Sequence, residues 1–200
     1  TPMATCQKEL PLAAVMYDAS GAEAARHAFG RMPRDEMSLL DVNAFLAKAK
    51  KSLPSGYGHV ELVYDLQAGD QLDGWLHGLF RYQALDSGHI AETSFGAHVF
   101  NIPVVYKDEP QSYTGFPPGL STRLFLRLGD APWDSMCQLI YPASGPWHPH
   151  STTDLILCNK DGAEIAKRSV AIPCSGSLLW RYSEMFDAKT RQTAGNGAYV

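Results

Sequence analysis

Two distant stretches of this chain are built from nearly the same words. With Gly21 set on Gly162, "GAEAAR" (residues 21–26) lies over "GAEIAK" (162–167). With one residue of slippage Pro33 meets Pro173, and "SLLDVNAFLAK" (38–48) falls on "SLLWRYSEMFDAK" (177–189), which is two residues longer. "SGYGHV" (55–60) then resembles "AGNGAYV" (194–200). A match this long in a conserved order points to an internal duplication, and a duplicated unit restricts the fold to something that can be built twice.

The local chemistry of that unit is β. An apolar strand ("PLAAVMYD" or "TDLILCN") runs into a turn ("DASG" or "NKDG") whose Asp, Asn and Gly supply local acceptors and positive φ. A second strand ends at Pro33 or Pro173, where a missing N–H suits a strand end or edge. Next comes a short amphipathic stretch with Val42, Phe45, Leu46 and Leu53 at helical spacing. Between the copies the pattern stays β, in "HVELVYD" (59–65), "DGWLHGLFRYQ" (73–83), "GHIAETSFGAHVF" (88–100), "STRLFLRL" (121–128) and "SMCQLIYPA" (135–143). Arg123 to Leu128 alternate cleanly. The expected fold is an all-β antiparallel β-sandwich built from an internal duplication, with one short helix per copy. Residues 1–107 form the first copy, 108–120 a Pro- and Gly-rich linker or loop, and 121–200 a second copy that stops early. The chain reads either as the middle of a tandem array or as one larger sandwich in which two half-units complete each other. A copy that lacks strands at its boundary leaves open sheet edges, so a homo-oligomer is expected.

The order of strand, acidic turn, strand ending in "IP" (172–173), "SLLWRYSEMF" (177–186) and a Gly-bearing strand start resembles the sensory rhodopsin transducer family of small bacterial β-sandwich proteins. The resemblance covers roughly residues 153–200 and, through the duplication, 11–65. This chain departs from that family in being duplicated and in carrying "GHIAETSFGAHVFN" (88–101). The resemblance implies a cytoplasmic, oligomeric binding or signalling module, and no functional residue is carried over from it.

Composition narrows the function classes. A net charge of −4 over 200 residues argues against nucleic acid, which needs concentrated Lys and Arg. No apolar run approaches the length of a membrane span, and the start "TPMATCQKEL" has neither an initiator Met nor a charged-then-apolar signal sequence, which suggests a processed chain, a cut one, or numbering that begins at the first ordered residue. Cys6, Cys137, Cys158 and Cys174 show no CxxC pair or metal-finger spacing. Each sits in or beside an apolar stretch, as a reduced thiol of a cytoplasmic protein would. A Cys158–Cys174 disulfide is an alternative that the expected hairpin would not place in register.

The densest polar segment, 88–101, carries His89, Glu92 and His98, and invites a metal or acid–base reading together with His59, Glu61 and His77. On a regular strand His89 falls on the opposite face from Glu92 and His98, and those two, six residues apart, are separated by about 20 Å. A neighbouring strand would have to complete the cluster. Pairing 59–65 with 73–83 as a hairpin sets Leu62 opposite His77 and turns His59 away from it, and a one-residue slip reverses this. His148 and His150 flank a proline with no third ligand near them in sequence. No phosphate loop, GxSxG elbow, HExxH or Rossmann glycine run is present. The positive signal is aromatic: Trp75, Tyr82, Tyr106, Tyr113, Phe116, Trp133 and Trp147 lie on strands and loops. Tyr113, Phe116 and Trp147, among prolines and glycines, suit stacking on a sugar or insertion into a partner's pocket.

The expected function is therefore a non-catalytic recognition module for a carbohydrate, small ligand or protein partner, with Tyr113, Phe116 and Trp147 in contact and no cofactor. The alternatives are a metal-dependent enzyme using His59, His77, His89, Glu92 and His98, and a purely structural repeat of a longer protein.

Overall fold

The structure, a computed structural model, describes residues 9–33, 35–65, 67, 73–100, 105–106, 109–110, 124–141 and 149–200. In chain order the elements are β1 (Glu9–Asp18), β2 (Glu23–Pro33), α1 (Val42–Lys48), β3 (Gly58–Tyr64), β4 (Asp73–Gln83), β5 (Ile90–Phe100), β6 (Val105–Tyr106), β7 (Glu109–Pro110), β8 (Met136–Ile140), β9 (Thr153–Cys158), β10 (Glu164–Val170), β11 (Ser177–Arg181), α2 (Tyr182–Met185) and α3 (Ala188–Ala194). Strands dominate and the sheets are antiparallel, as the alternation and turn chemistry predict. Where one short helix was expected in the later part of the chain, α2 and α3 stand in its place.

Both hairpins of the repeated words close through the same bonds. Asp18 Oδ1 accepts from the N–H of Ser20 (2.8 Å) and of Ala22 (3.0 Å). The Asp18 N–H reaches the Ala22 carbonyl, and the Gly21 N–H reaches that of Asp18. In the later hairpin Asn159 Oδ1 accepts from Asp161 (3.0 Å) and Ala163 (2.9 Å), with the Asn159 and Gly162 N–H groups bonded to Ala163 and Asn159. Gly21 (φ 88) and Gly162 (φ 85) supply the left-handed residue that each turn requires. The first sheet is ordered β2-β1-β3, and β9 pairs with β10 from Thr153↔Val170 to Cys158↔Glu164 with a bulge near Ala166.

The chain divides into two compact units that do not follow its linear order. The first comprises Thr1–Val15, Ala25–Lys51 and Val60–Tyr113, and the second Met16–Ala24, Ser52–His59 and Thr114–Val200. In the first, Leu10, Leu12, Met32 and Leu76 form the buried cluster, bordered by Phe29, Leu62 and Tyr64. Helix α1 starts where Asp41 accepts from the Ala44 N–H (2.9 Å), and its Phe45 meets His27 of β2 edge to face at 5.3 Å. Strand β4 pairs with β5 from Asp73↔Phe100 to Gln83↔Ile90, while β3 is hydrogen-bonded to β1. The hairpin imagined between 59–65 and 73–83 is therefore replaced by two other pairings.

In the second unit β11 pairs with β8, from Ser177↔Ile140 to Arg181↔Met136. Beyond β9 the sheet continues: Tyr199 bridges Cys158 on one side and Arg127 on the other. The order across it is thus β10, β9, 198–200, 126–128. One core takes side chains from both sets of strands: Leu155, Leu157, Leu128 and Ala198 from one, Trp180 with Leu139 and Leu178 from the other, and Tyr182 and Phe186 from the helical turn. Asp134 secures the start of α2, its carboxylate accepting from the Ser183 N–H (3.1 Å) and hydroxyl (2.7 Å). Asp187 caps α3 through the Thr190 N–H (2.8 Å).

Candidate functional site

The residues expected to bind metal fall on different elements. His59 is buried (8% exposed) in the second unit and stacks on Tyr17 at 5.4 Å. His77, on β4 of the first unit, is exposed and stands opposite Gly96. Glu92 stands opposite Arg81, four residues from His77 along β4 or about 13 Å away. Its carboxylate is held by that arginine, with Nε at 2.7 Å and Nη2 at 2.6 Å. His89 lies at the exposed turn, where its N–H points to Ser87 Oγ at 3.4 Å. His98 is opposite Trp75 in backbone register, and its side chain lies outside the described residues. Among the described residues no three His, Cys, Asp or Glu side chains are grouped to hold a metal ion. Of the expected recognition aromatics, Tyr113, Phe116 and Trp147 all lie outside the described residues.

Cys137, Cys158 and Cys174 are not disulfide-bonded, so the alternative Cys158–Cys174 bridge is not formed. Burial pushes the Cys137 thiol above its ordinary range. Burial likewise raises the Tyr199 phenol, with Cys158 beside it adding to the effect. These are packing effects on groups lining a sheet.

Among the described residues, what the second unit presents is an edge. The N–H of Leu126 donates to the Val200 carbonyl (2.8 Å), the Val200 N–H returns to Leu126 (2.9 Å), and the Leu128 N–H reaches Ala198 (3.0 Å). In an antiparallel pair this phase turns the backbone groups of the alternate residues, Phe125 and Arg127, away from the sheet. No partner for those two N–H groups is found among the described residues. The same segment is apolar and bare, with Leu124 72% and Phe125 77% exposed. Tyr199 flanks Phe125, with ring centroids 6.3 Å apart.

Next to that edge Trp133 is 74% exposed on a turn that is firmly pinned. The Gly129 N–H donates to Ser135 Oγ (2.7 Å), the Gly197 N–H to Asp130 Oδ1 (2.7 Å) and the Trp133 N–H to the Asp130 carbonyl (2.9 Å). A large amphipathic ring held out by a fixed backbone loses little entropy when it is covered. In sequence, Trp133 is one aromatic among several; the signal that sets it apart is "GDAPWDS" (129–135), a turn with its own acceptors.

No helix among the described residues is long and apolar enough to cross a membrane. Compared with protein-family models, curated proteins and solved structures, the chain finds no match, so none of these bears on the resemblance to sensory rhodopsin transducers.

Proposed function

We propose that this chain is a non-catalytic recognition module that takes a protein partner as an added strand at segment 124–128. The observation that carries this reading is the outward-turned backbone of Phe125 and Arg127 on a segment whose apolar side chains are also uncovered. A strand added there would gain main-chain hydrogen bonds from the edge and side-chain specificity from Leu124, Phe125 and the neighbouring Trp133. Architecturally we read the second unit as a β-sandwich and the chain as a duplication of one hairpin-and-helix unit. The matching turns at Asp18 and Asn159 support this, and we place the chain in a reducing, cytoplasmic setting, where cysteines such as Cys137 and Cys158 stay as thiols.

The test is an array of extended random peptides probed beside a glycan array, with dilute protein. Peptide signals are expected at micromolar to millimolar affinity, and they should vanish in Arg127→Pro, which removes an edge N–H. Glycan signals that fall on Trp133→Ala would move the reading to carbohydrate. Silence on both arrays from a chain that is also monomeric rejects a recognition role at this edge.

A further inference from the structure

We infer that the strand received at this edge is the same segment of a second copy, paired antiparallel about a two-fold axis at Leu126. This rests on the recognition reading of the edge and adds to it the identity of the partner.

The argument is one of phase and chemistry. The outward backbone groups belong to Phe125 and Arg127. An antiparallel pair centred on Leu126 sets Phe125 opposite the partner's Arg127 and Arg127 opposite the partner's Phe125. Both are then hydrogen-bonded pairs, because both residues have their N–H and C=O turned to the interface. Shifting the pairing by one residue would bring an outward residue against an inward one and lose those bonds. The side chains agree with this register. Phe125 and Arg127 lie two apart on one face, the face on which Arg127 stands opposite Tyr199 and Phe125 meets its ring. Across the two-fold axis each guanidinium would therefore stand beside a phenylalanine ring flanked by a tyrosine, a cation–π arrangement made twice. A parallel, in-register alignment would instead put Arg127 beside its own copy, a repulsive contact. The pairing would cover Leu124 and Phe125, two of the most exposed large apolar residues described in the second unit.

Sedimentation equilibrium of the full chain over a range of concentrations tests this. The expected result is a reversible dimer. Phe125→Lys, which sets Lys against Arg127, should weaken it by roughly tenfold or more, and Arg127→Glu, which removes the cation, should do likewise. The double variant Phe125→Lys with Arg127→Glu places opposite charges in register and should restore much of the dimer, which a merely unfolded variant would not do. A monomer at every concentration, or a dimer indifferent to both single variants, overturns the inference. If the chain is monomeric yet still captures extended peptides at this edge, self-pairing fails while the recognition reading stands; if the peptides also fail, both fall.

Discussion

The β1/β2 and β9/β10 turns share a hydrogen-bond pattern and occupy very different surroundings. At the first, a Cβ on Gly21 would run into the Cys174 carbonyl oxygen and lie 2.9 Å from the Ser175 carbonyl carbon. The facing Gly176 is equally tight, since a Cβ there would sit 2.6 Å from the Ala19 carbonyl oxygen. At the second, a Cβ on Gly162 would meet only the Tyr199 hydroxyl, at 3.5 Å. The strands differ in the same sense. Residues 10–16 of β1 are buried without interruption, whereas β9 alternates, with Leu155 and Leu157 inside and Ile156 exposed. The lesson is that a turn motif specifies its own closure and leaves its neighbours to be decided elsewhere. The loop at Pro33 makes the point again. The Glu36 N–H bonds to the Pro33 carbonyl, as that of Gly176 does to Pro173, but Glu36 carries a side chain where Gly176 admits the first turn.

The sharpest way to break this comparison is to add one methyl group to each turn. Gly21→Ala should cost about 3 kcal/mol or more, from left-handed strain and a backbone clash together. Gly162→Ala should cost only about 1 kcal/mol, from strain alone. Urea midpoints of the two variants measure the difference, and equal losses would show that the first turn is not wedged as described.

A smaller effect should come from the turn acceptors, and here the two sites are expected to agree. Asp18→Ala and Asn159→Ala each remove an acceptor of two backbone N–H groups, and each should cost about 1 kcal/mol. Asp18→Asn should be close to neutral at pH 7, since Asn fills the same role at position 159. A large loss there would mean that the charge of Asp18 matters at neutral pH.

The pH dependence separates the turns once more. The Ser20 hydroxyl is the largest influence and holds the Asp18 carboxyl below the usual carboxylate range; burial opposes it, and the backbone N–H groups of Ala22, Ser20 and Gly21 each add a smaller lowering. Its folded value lies below its unfolded value, so the stabilisation is present above the unfolded value and is lost as pH falls through the folded one. Asp18→Asn should therefore flatten part of the acid limb of a stability profile below about pH 4. Asp154 and Asp187, also held low, keep the rest of that slope. A profile unchanged by Asp18→Asn would refute the assignment.

The least effect is expected on the exposed face of β9/β10. Asp154 takes Lys167 Nζ at 2.8 Å and the Ser169 hydroxyl at 2.7 Å, on the exposed surface. Lys167→Ala should leave the urea midpoint at pH 7 unmoved within error, because water screens such pairs. The Asp154 carboxyl should nevertheless titrate at higher pH in that variant, read by NMR, since Lys167 is the largest cause of its lowering. A clear fall in the midpoint would make this pair more than a surface feature.

By itself the sequence determined what is local. The turns at Asp18–Gly21 and Asn159–Gly162 close within five residues, and the amphipathic stretch at Val42–Lys48 needs only its own spacing and the cap at Asp41. The alternation of 124–128 likewise predicts which side chains turn inward: Leu126 and Leu128 are less exposed than Leu124, Phe125 and Arg127. Tertiary structure decided the rest. It made β5 the partner of β4 and β1 the partner of β3, in place of the hairpin between 59–65 and 73–83 that sequence alone suggests. It gave Glu92 to Arg81, and it turned the backbone of Phe125 and Arg127 outward by pairing their neighbours with residues 198–200. The physical reason is that a strand's own alternation tells which residues share a face but carries no information about which distant strand will satisfy its N–H and C=O groups. That choice is made by burial and hydrogen bonding across the whole chain.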